Sequence, residues 1–244
     1  MKVFVISLTS SIDRRERIAR MLEELEVPFT FFNAIDGREG LPSDLVDRPD
    51  DLHRRVLRSR PLTPGERGCY ASHYRLWQKC VELNEPILII EDDCLPTSHM
   101  KPSLAHLKRM HEKGYEYIRV EHQKGKVTLL EEIDGGVQSV FWHNNLSGTR
   151  GYSLSPRGAK KLLEKSKRWI CAVDNYIGES YRTGIKCTGI IPYLVIDRCD
   201  MGTTIQNNGP KLKPPIYFKA TREFYRFYRF IRLCWWNAKK VRVR

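Results

Sequence analysis

The stretch Ile87-Leu88-Ile89-Ile90, followed at once by Glu91-Asp92-Asp93, constrains this chain most. Four apolar residues in a row, three of them β-branched, have the pattern of a buried strand in an open sheet. Acids delivered to the end of such a strand lie where ligand crevices form in α/β sheets. Three adjacent carboxylates repel one another unless positive charge lies among them. One answer is a hard divalent cation with oxygen ligands, Mg²⁺ or Mn²⁺, that keeps positions open for substrate phosphates. The other is a solvated acidic turn.

The rest of the sequence supplies a sheet for that strand. Residues 2–8 predict a first strand. Residues 10–26 predict a helix with Ile12, Ile18, Met21, Leu22 and Leu25 on one side and Ser11 or Asp13 as its cap. Residues 28–34 predict a second strand, closed by Ile35-Asp36-Gly37. Strand–helix–strand at this spacing is the βαβ start of a parallel sheet. Residues 38–62, rich in Arg, Asp and Pro, read as a loop or short-helix excursion. Thr63-Pro64-Gly65-Glu66 starts a helix that runs to about Leu83, with Cys69, Leu76, Cys80 and Leu83 on its buried side. Beyond the acids, the pattern predicts a helix at 101–113 and a strand at 115–121. A hairpin turning at Asp134-Gly135-Gly136, a strand at 151–155 and a helix at 156–167 capped by Ser155 come next. A helix at 173–182 and a strand at 185–196 follow. No internal repeat is present.

At 244 residues and 41% hydrophobic, the chain suits one α/β domain with or without a tail. The net charge of +13 is concentrated at the end: residues 211–244 hold eleven Lys/Arg and one acid, Glu223. From 222 onward, aromatic and basic residues interleave. Phe224, Phe227, Tyr228, Ile231, Cys234 and Trp235 share one helical face, with Arg222, Arg226 and Arg229 opposite. Such a helix suits an anionic membrane surface. Packing on the body, self-association as a homodimer, or single-stranded nucleic acid are the other readings, nucleic acid the least expected. The resulting division is a domain at 1–206, a Pro/Gly linker at 207–215 and a basic aromatic helix at 216–244. Seven scattered cysteines with no C-x-x-C pair argue against a zinc or disulfide framework. The apolar segment 2–8 is too short for a secretory signal or a membrane span, so the expected location is the cytoplasm.

Six motifs, in order, resemble glycosyltransferase family 25. They are Val5-Ile6-Ser7-Leu8 with Asp13-Arg14-Arg15; Ala34-Ile35-Asp36-Gly37; Leu62-Thr63-Pro64-Gly65-Glu66-Arg67-Gly68-Cys69 with Ser72-His73; Ile89-Ile90-Glu91-Asp92-Asp93; residues 148–155 with Gly158-Ala159-Lys160-Lys161-Leu162; and Val173-Asp174. The resemblance implies a GT-A-like α/β fold, a Rossmann-like, mostly parallel sheet with flanking helices. It also implies inverting transfer from a UDP-hexose, galactose favoured and glucose next. The implied acceptor is a lipooligosaccharide core glycan, and the implied location is peripheral, on the inner face of the inner membrane.

The same resemblance assigns roles. Asp93 is the first candidate metal ligand for Mn²⁺ or Mg²⁺, with Glu91 or Asp92 next, and an earlier acid of the run holds ribose. The uridine pocket lies near Ser7, Leu8, Asp36 and Gly37. Asp36 reads equally as a ribose or uracil acceptor and as an Asx-turn before Gly37. Asp174 is the candidate general base, or else a helix cap; Glu179 is the runner-up. Arg67 reads as a diphosphate contact or a solvated arginine, and Tyr152, beside Arg150, as part of the donor site or as core. His73 reads as functional or as a satisfied structural residue. Two other classes fit the acids and the basic tail: a metal-dependent nuclease or phosphotransferase, and a non-catalytic glycan- or membrane-binding relative. Against the former, the sequence has no G-x-x-x-x-G-K-[ST] loop.

Overall fold

The computed structural model describes residues 1–122, 125–197 and 215–240. Strand β1 (Lys2–Ser7) pairs in parallel with β2 (Thr30–Asn33) on one side and β3 (Ile87–Glu91) on the other. The chain reaches β2 through α1 (Ile12–Glu24). It then crosses β1 to reach β3 through α2 (Asp51–Arg58) and α3 (Pro64–Leu83). The connections leave β1 in opposite directions, and a crevice opens beyond the carboxyl ends of β1 and β3.

The chain continues through β4 (Cys94–Pro96), α4 (Met100–Glu112), β5 (Tyr117–Arg119), β6 (Val127–Glu132), β7 (Gln138–Trp142), β8 (Gly151–Leu154) and α5 (Pro156–Lys165). Then come α6 (Val173–Gly178), α7 (Ser180–Thr183), β9 (Thr188–Ile191), β10 (Val195–Asp197) and α8 (Ile216–Lys240). The eight-stranded sheet has the order β2-β1-β3-β8-β5-β9-β7-β6, with only β8 and β7 opposed to the direction of the others. The expected mixed, mostly parallel α/β sheet with flanking helices is therefore present. Strands β4 and β10 form a small antiparallel pair.

The apolar run is buried on both faces because alternate residues feed two cores. Ile87 and Ile89 pack on the side of Tyr70, Trp77 and Tyr152; Leu88 and Ile90 pack on the side of Ile18, Leu22 and Met100. All four are fully buried, each worth about 1.5–3 kcal/mol. Helix α3 begins as its sequence specifies. The Thr63 hydroxyl accepts from the Glu66 N–H at 3.1 Å, and the Glu66 carboxylate accepts from the Thr63 N–H at 2.8 Å. Ser155 caps α5 through the Gly158 N–H.

Several expected elements differ. The single helix expected at 173–182 breaks at Glu179, whose backbone leaves helical geometry (ψ 61°) between α6 and α7. The expected strand at 185–196 is two strands, because Pro192 has no N–H with which to continue the ladder. Strand β4 was not anticipated. Most of the expected linker, 207–214, lies outside the described residues. Helix α8 lies against α2 and α7, and its aromatic face is turned outward and not packed on the body as a core helix would be. Phe224, Phe227, Phe230 and Trp235 are exposed, whereas Arg229 is buried.

Loop 34–37 rests directly on the first turns of α3, and two glycines permit it. A Cβ on Gly68 would lie 2.4 Å from the Ile35 carbonyl oxygen, and one on Gly37 would lie 1.8 Å from that of Pro64. Alanine is the better helix former by about 1 kcal/mol, yet Gly68→Ala should lower stability by roughly 1–3 kcal/mol in urea unfolding. An unchanged or raised midpoint would contradict this packing.

Candidate active site

Two adjoining clefts open at the carboxyl ends of β1 and β3. The narrower is lined by Ser7 and Leu8 from the end of β1, Asp36 and Gly37 from the loop after β2, and Arg14 from α1. The wider is lined by Arg119 and Glu121 around the end of β5, by Thr149 and Arg150, and by Asp174 of α6. Cys69, Glu91 and Asp93 line both. The structure thus brings Ser7, Leu8, Asp36, Gly37 and all three acids to one cleft, and Asp174 to its neighbour.

The three acids do not act alike. Glu91 and Asp93 are two apart and face the seam between the clefts. Asp92, between them, takes a hydrogen bond from the Ser7 hydroxyl at 2.6 Å and pairs with Arg14 at 3.4 Å. Its carbonyl accepts from Arg17. Asp92 thus ties β3 to β1 and α1 instead of joining its neighbours. Glu91 Oε1 accepts from the Thr149 hydroxyl at 2.6 Å and lies 3.3 Å from His73 Nε2. Burial alone would raise the Glu91 carboxyl, but its contacts with His73, Thr149 and Arg150 hold it below its ordinary value. Asp93 has no hydrogen bond of that kind to its Oδ1 among the described residues. Burial and the charge of Glu91 push its carboxyl up to about 6.

The Asp93 Oδ1 atom is buried and accepts no hydrogen bond among the described residues. Its nearest cationic atom, Arg150 Nε, stands 3.7 Å away. An orphaned carboxylate oxygen beside a second carboxylate fits a hard divalent cation, with Asp93 and Glu91 to hold it. A different group, Cys69, His73 and Glu91, has donor atoms all within 4.8 Å of one another. It fits a metal less well. Burial and the charges of Glu91, Asp174 and Asp93 push the Cys69 thiol well up, whereas a metal needs the thiolate. Both His73 nitrogens are also engaged, Nδ1 with the Tyr152 hydroxyl at 2.8 Å and Nε2 with Glu91.

Other expected site residues have structural settings. Tyr152 is fully buried, with its hydroxyl between His73 and Trp77 Nε1, and lines neither cleft. It is core, and it fixes the His73 ring that touches Glu91. Arg67 pairs with Asp51 at 2.6 Å and lines neither cleft. The Asp36 carboxylate accepts from the Arg38 N–H at 2.9 Å and from its guanidinium, the Asx-turn arrangement. Glu179 is fully buried among Arg58, Arg182 and Arg229 and lines neither cleft. A carboxylate so committed is not a base for an incoming hydroxyl.

Thr149, Arg119 and Glu121 were not anticipated. Arg119 and Glu121, an ion pair at alternate positions around the end of β5, are both buried. Two opposite charges at i and i+2 within an apolar strand were the available signal. Thr149 lies within the motif at residues 148–155, but nothing in that motif marks its hydroxyl as a partner of Glu91.

The family model of glycosyltransferase family 25, described as an LPS biosynthesis protein, matches residues 1–177. The chain is 32% identical to procollagen galactosyltransferase 1-B of Xenopus laevis over 169 residues, covering 66% of this chain and 28% of the relative. It is 43% identical to lipooligosaccharide biosynthesis protein lic2B of Haemophilus influenzae over 95 residues, 38% of this chain and 33% of that one. It therefore spans about a third or less of the length of these relatives. A solved glycosyltransferase involved in glycosylation of the major capsid of PBCV-1 superposes with a TM-score of 0.43 at 9% identity, covering 93% of this chain and 98% of that one.

The raised Asp93 carboxyl has a direct consequence for metal-free protein. A carboxyl whose folded value exceeds its unfolded value contributes stability at low pH that is lost as pH rises through the folded value, here from about 4 to about 6. Asp93→Asn should therefore be more stable than the wild type above pH 6, by on the order of 1–3 kcal/mol, and no more stable below pH 4. Mn²⁺ should stabilise the wild type alone, and more at pH 7.5 than at pH 5, where protons compete. Thermal unfolding across pH, with and without Mn²⁺, checks both; equal Mn²⁺ stabilisation of the two proteins would contradict the assignment.

Proposed function

We propose that this chain, which belongs to glycosyltransferase family 25, transfers a hexose from a UDP-sugar to a glycan acceptor with the help of a divalent cation. The observation that carries the reading is the seam: Glu91 and Asp93 line both the narrower cleft and the wider cleft that holds Asp174. A single displacement needs that juxtaposition. The donor's diphosphate must end beside the metal ligands, and the acceptor hydroxyl must reach the anomeric carbon from the far side, next to a base.

The nucleotide occupies the narrower cleft between loop 34–37 and the end of β1. Gly37 and Leu8 form its walls, and Arg14 supplies positive charge near the acids. When bound, the cation, Mn²⁺ or Mg²⁺, neutralises charge developing on the departing diphosphate. Asp174 removes the proton from the acceptor hydroxyl as the new glycosidic bond forms and the bond from sugar to phosphate breaks. The configuration at the anomeric carbon inverts. The galactosyltransferases among the relatives favour galactose over glucose, and the lipooligosaccharide relative favours a lipooligosaccharide glycan as acceptor.

The direct test is release of UDP from UDP-Gal, UDP-Glc, UDP-GlcNAc and UDP-GalNAc with Mn²⁺ or EDTA. One hexose donor should turn over, only with metal. Asp174→Asn should lower kcat by about 10²–10⁴-fold with donor binding retained. Turnover in EDTA, or full activity in Asp174→Asn, would contradict the mechanism.

The outward aromatic face of α8 supports peripheral attachment to the inner face of the inner membrane. Phe224, Phe227 and Trp235 are exposed on a helix that also exposes Lys219, Lys239 and Lys240, and apolar area flanked by cations suits anionic lipid. No helix among the described residues is long and apolar enough to cross a membrane. The domain at 1–206 then carries the reacting groups, and the outer face of 216–244 is its attachment. The wild type should float with phosphatidylglycerol vesicles and not with phosphatidylcholine vesicles, and a Phe227→Ser/Trp235→Ser variant should float with neither. Retained flotation would contradict attachment through this face. Concentration-dependent dimerisation abolished by the same substitutions would instead make it a homodimer contact.

A further inference from the structure

We propose that Asn175 is a positioning residue for Asp174, and that α8 completes its setting through Arg229. The inference rests on the reading of Asp174 as the base. Asp174 Oδ1 accepts two hydrogen bonds from its neighbour, from the Asn175 N–H at 2.6 Å and from the Asn175 side-chain Nδ2 at 2.9 Å. Its Oδ2 accepts none from the described residues and is left for the cleft that Asp174 lines.

The Asn175 amide cannot turn over. Its Nδ2 also donates to the Leu146 carbonyl at 3.1 Å, and its Oδ1 accepts from Arg58 at 2.8 Å and from Arg229 at 3.1 Å. All four hydrogen-bonding positions of the amide are filled. A flipped amide would set its NH₂ against two guanidinium groups and its oxygen against a carboxylate and a carbonyl. The two arginines thus fix which atom of Asn175 meets Asp174.

They are themselves fixed by Glu179. Arg58 Nη2 and Arg229 Nε both lie 2.7 Å from Glu179 Oε1, which is fully buried. Arg229 thus meets two partners at once: Nη2 donates to Asn175 Oδ1, and the guanidinium forms an ion pair with Glu179 through Nε without a hydrogen bond there. A lysine has a single ammonium and cannot hold both in fixed geometry. Arg58 comes from α2 and Arg229 from α8, so the setting of Asp174 is assembled from three separate parts of the chain. Gly178 keeps the loop that carries Leu146 against α6: a Cβ there would lie 2.0 Å from the Asn145 carbonyl oxygen.

This gives the C-terminal helix a role inside the catalytic unit, apart from any surface that its outer face meets. The helix also docks through Thr221, whose hydroxyl donates to the Val56 carbonyl, and Asn237, whose amide donates to the His143 carbonyl. Neither touches Asn175, so they separate docking from positioning.

The test compares Asn175→Ala and Arg229→Lys with Thr221→Ala and Asn237→Ala in the full chain. Arg229→Lys keeps a cation for Glu179, so it retains the fold if Asn175→Ala does not. Steady-state UDP release with Mn²⁺ should show kcat reduced roughly 100-fold in Asn175→Ala and roughly 10-fold in Arg229→Lys, with the KM for donor within about 2-fold of wild type. Thr221→Ala and Asn237→Ala should keep the wild-type kcat. Crystal structures should show the Asp174 carboxylate rotated or in several conformers in the first pair, over an unmoved α6 backbone. An unchanged kcat in Arg229→Lys, an equal loss in the docking variants, or an unmoved Asp174 carboxylate would overturn the proposal. A wild type that releases UDP from no donor would defeat the functional reading instead, and the crystal structures would still decide whether Asn175 and Arg229 position Asp174.

Discussion

Two carboxylates on the same side of a buried strand end repel each other, and much of this molecule is arranged around that repulsion. Glu91 is relieved by Thr149 and His73, and His73 is itself held by the buried Tyr152 hydroxyl. Asp92, facing the other way, is taken up by Ser7 and Arg14. Asp93 is left with a carboxyl pushed up to about 6 and an oxygen that accepts no hydrogen bond from the described residues. A site that keeps such a residue is less stable than it would be with an amide there. That is the usual sign of a position set by chemistry and not by packing.

The sheet supplies the place. Because β2 and β3 lie on opposite sides of β1, loop 34–37 and the acidic turn flank a single crevice. The glycine contact between Gly37 and Gly68 presses that loop onto α3, and α3 in turn carries Cys69 and His73 to the seam. The long-range partner is α8. An amphipathic helix ordinarily buries its apolar stripe. Here the stripe is outward, and the inward side sets Arg229 on the buried Glu179 carboxylate alongside the Thr221 and Asn237 contacts. An unpaired carboxylate with no exposure would be strongly destabilising, so the arginines from α2, α7 and α8 are required wherever Glu179 is kept.

The parts of this arrangement legible in the sequence are those written in local patterns. The apolar run before Glu91, the Thr63–Glu66 capping box and the Ser155 cap each specify their own element, and each formed. That Ser7, Leu8 and Gly37 would share one cleft was implied by the family resemblance. Long-range pairing was not legible. Arg182, three residues on, is a local partner, but one arginine does not distinguish an exposed catalytic acid from one also enclosed by Arg58 and Arg229, which arrive from 121 positions before it and 50 after it. The same holds for Tyr152 and Arg67, whose partners Trp77 and Asp51 sit on other elements or other turns. Helical periodicity identified the aromatic face of α8 but not which face points inward, since that depends on a buried charge elsewhere.

The central claim is that the seam at Glu91 and Asp93 joins a nucleotide cleft to a cation. Calorimetric titration of UDP into the wild-type protein, once with Mn²⁺ and once with EDTA, tests it most directly. The account predicts saturable binding of one UDP with Mn²⁺ and its loss, or a weakening of at least about 10-fold, in EDTA. UDP binding of equal strength in both, or none in either, would contradict it.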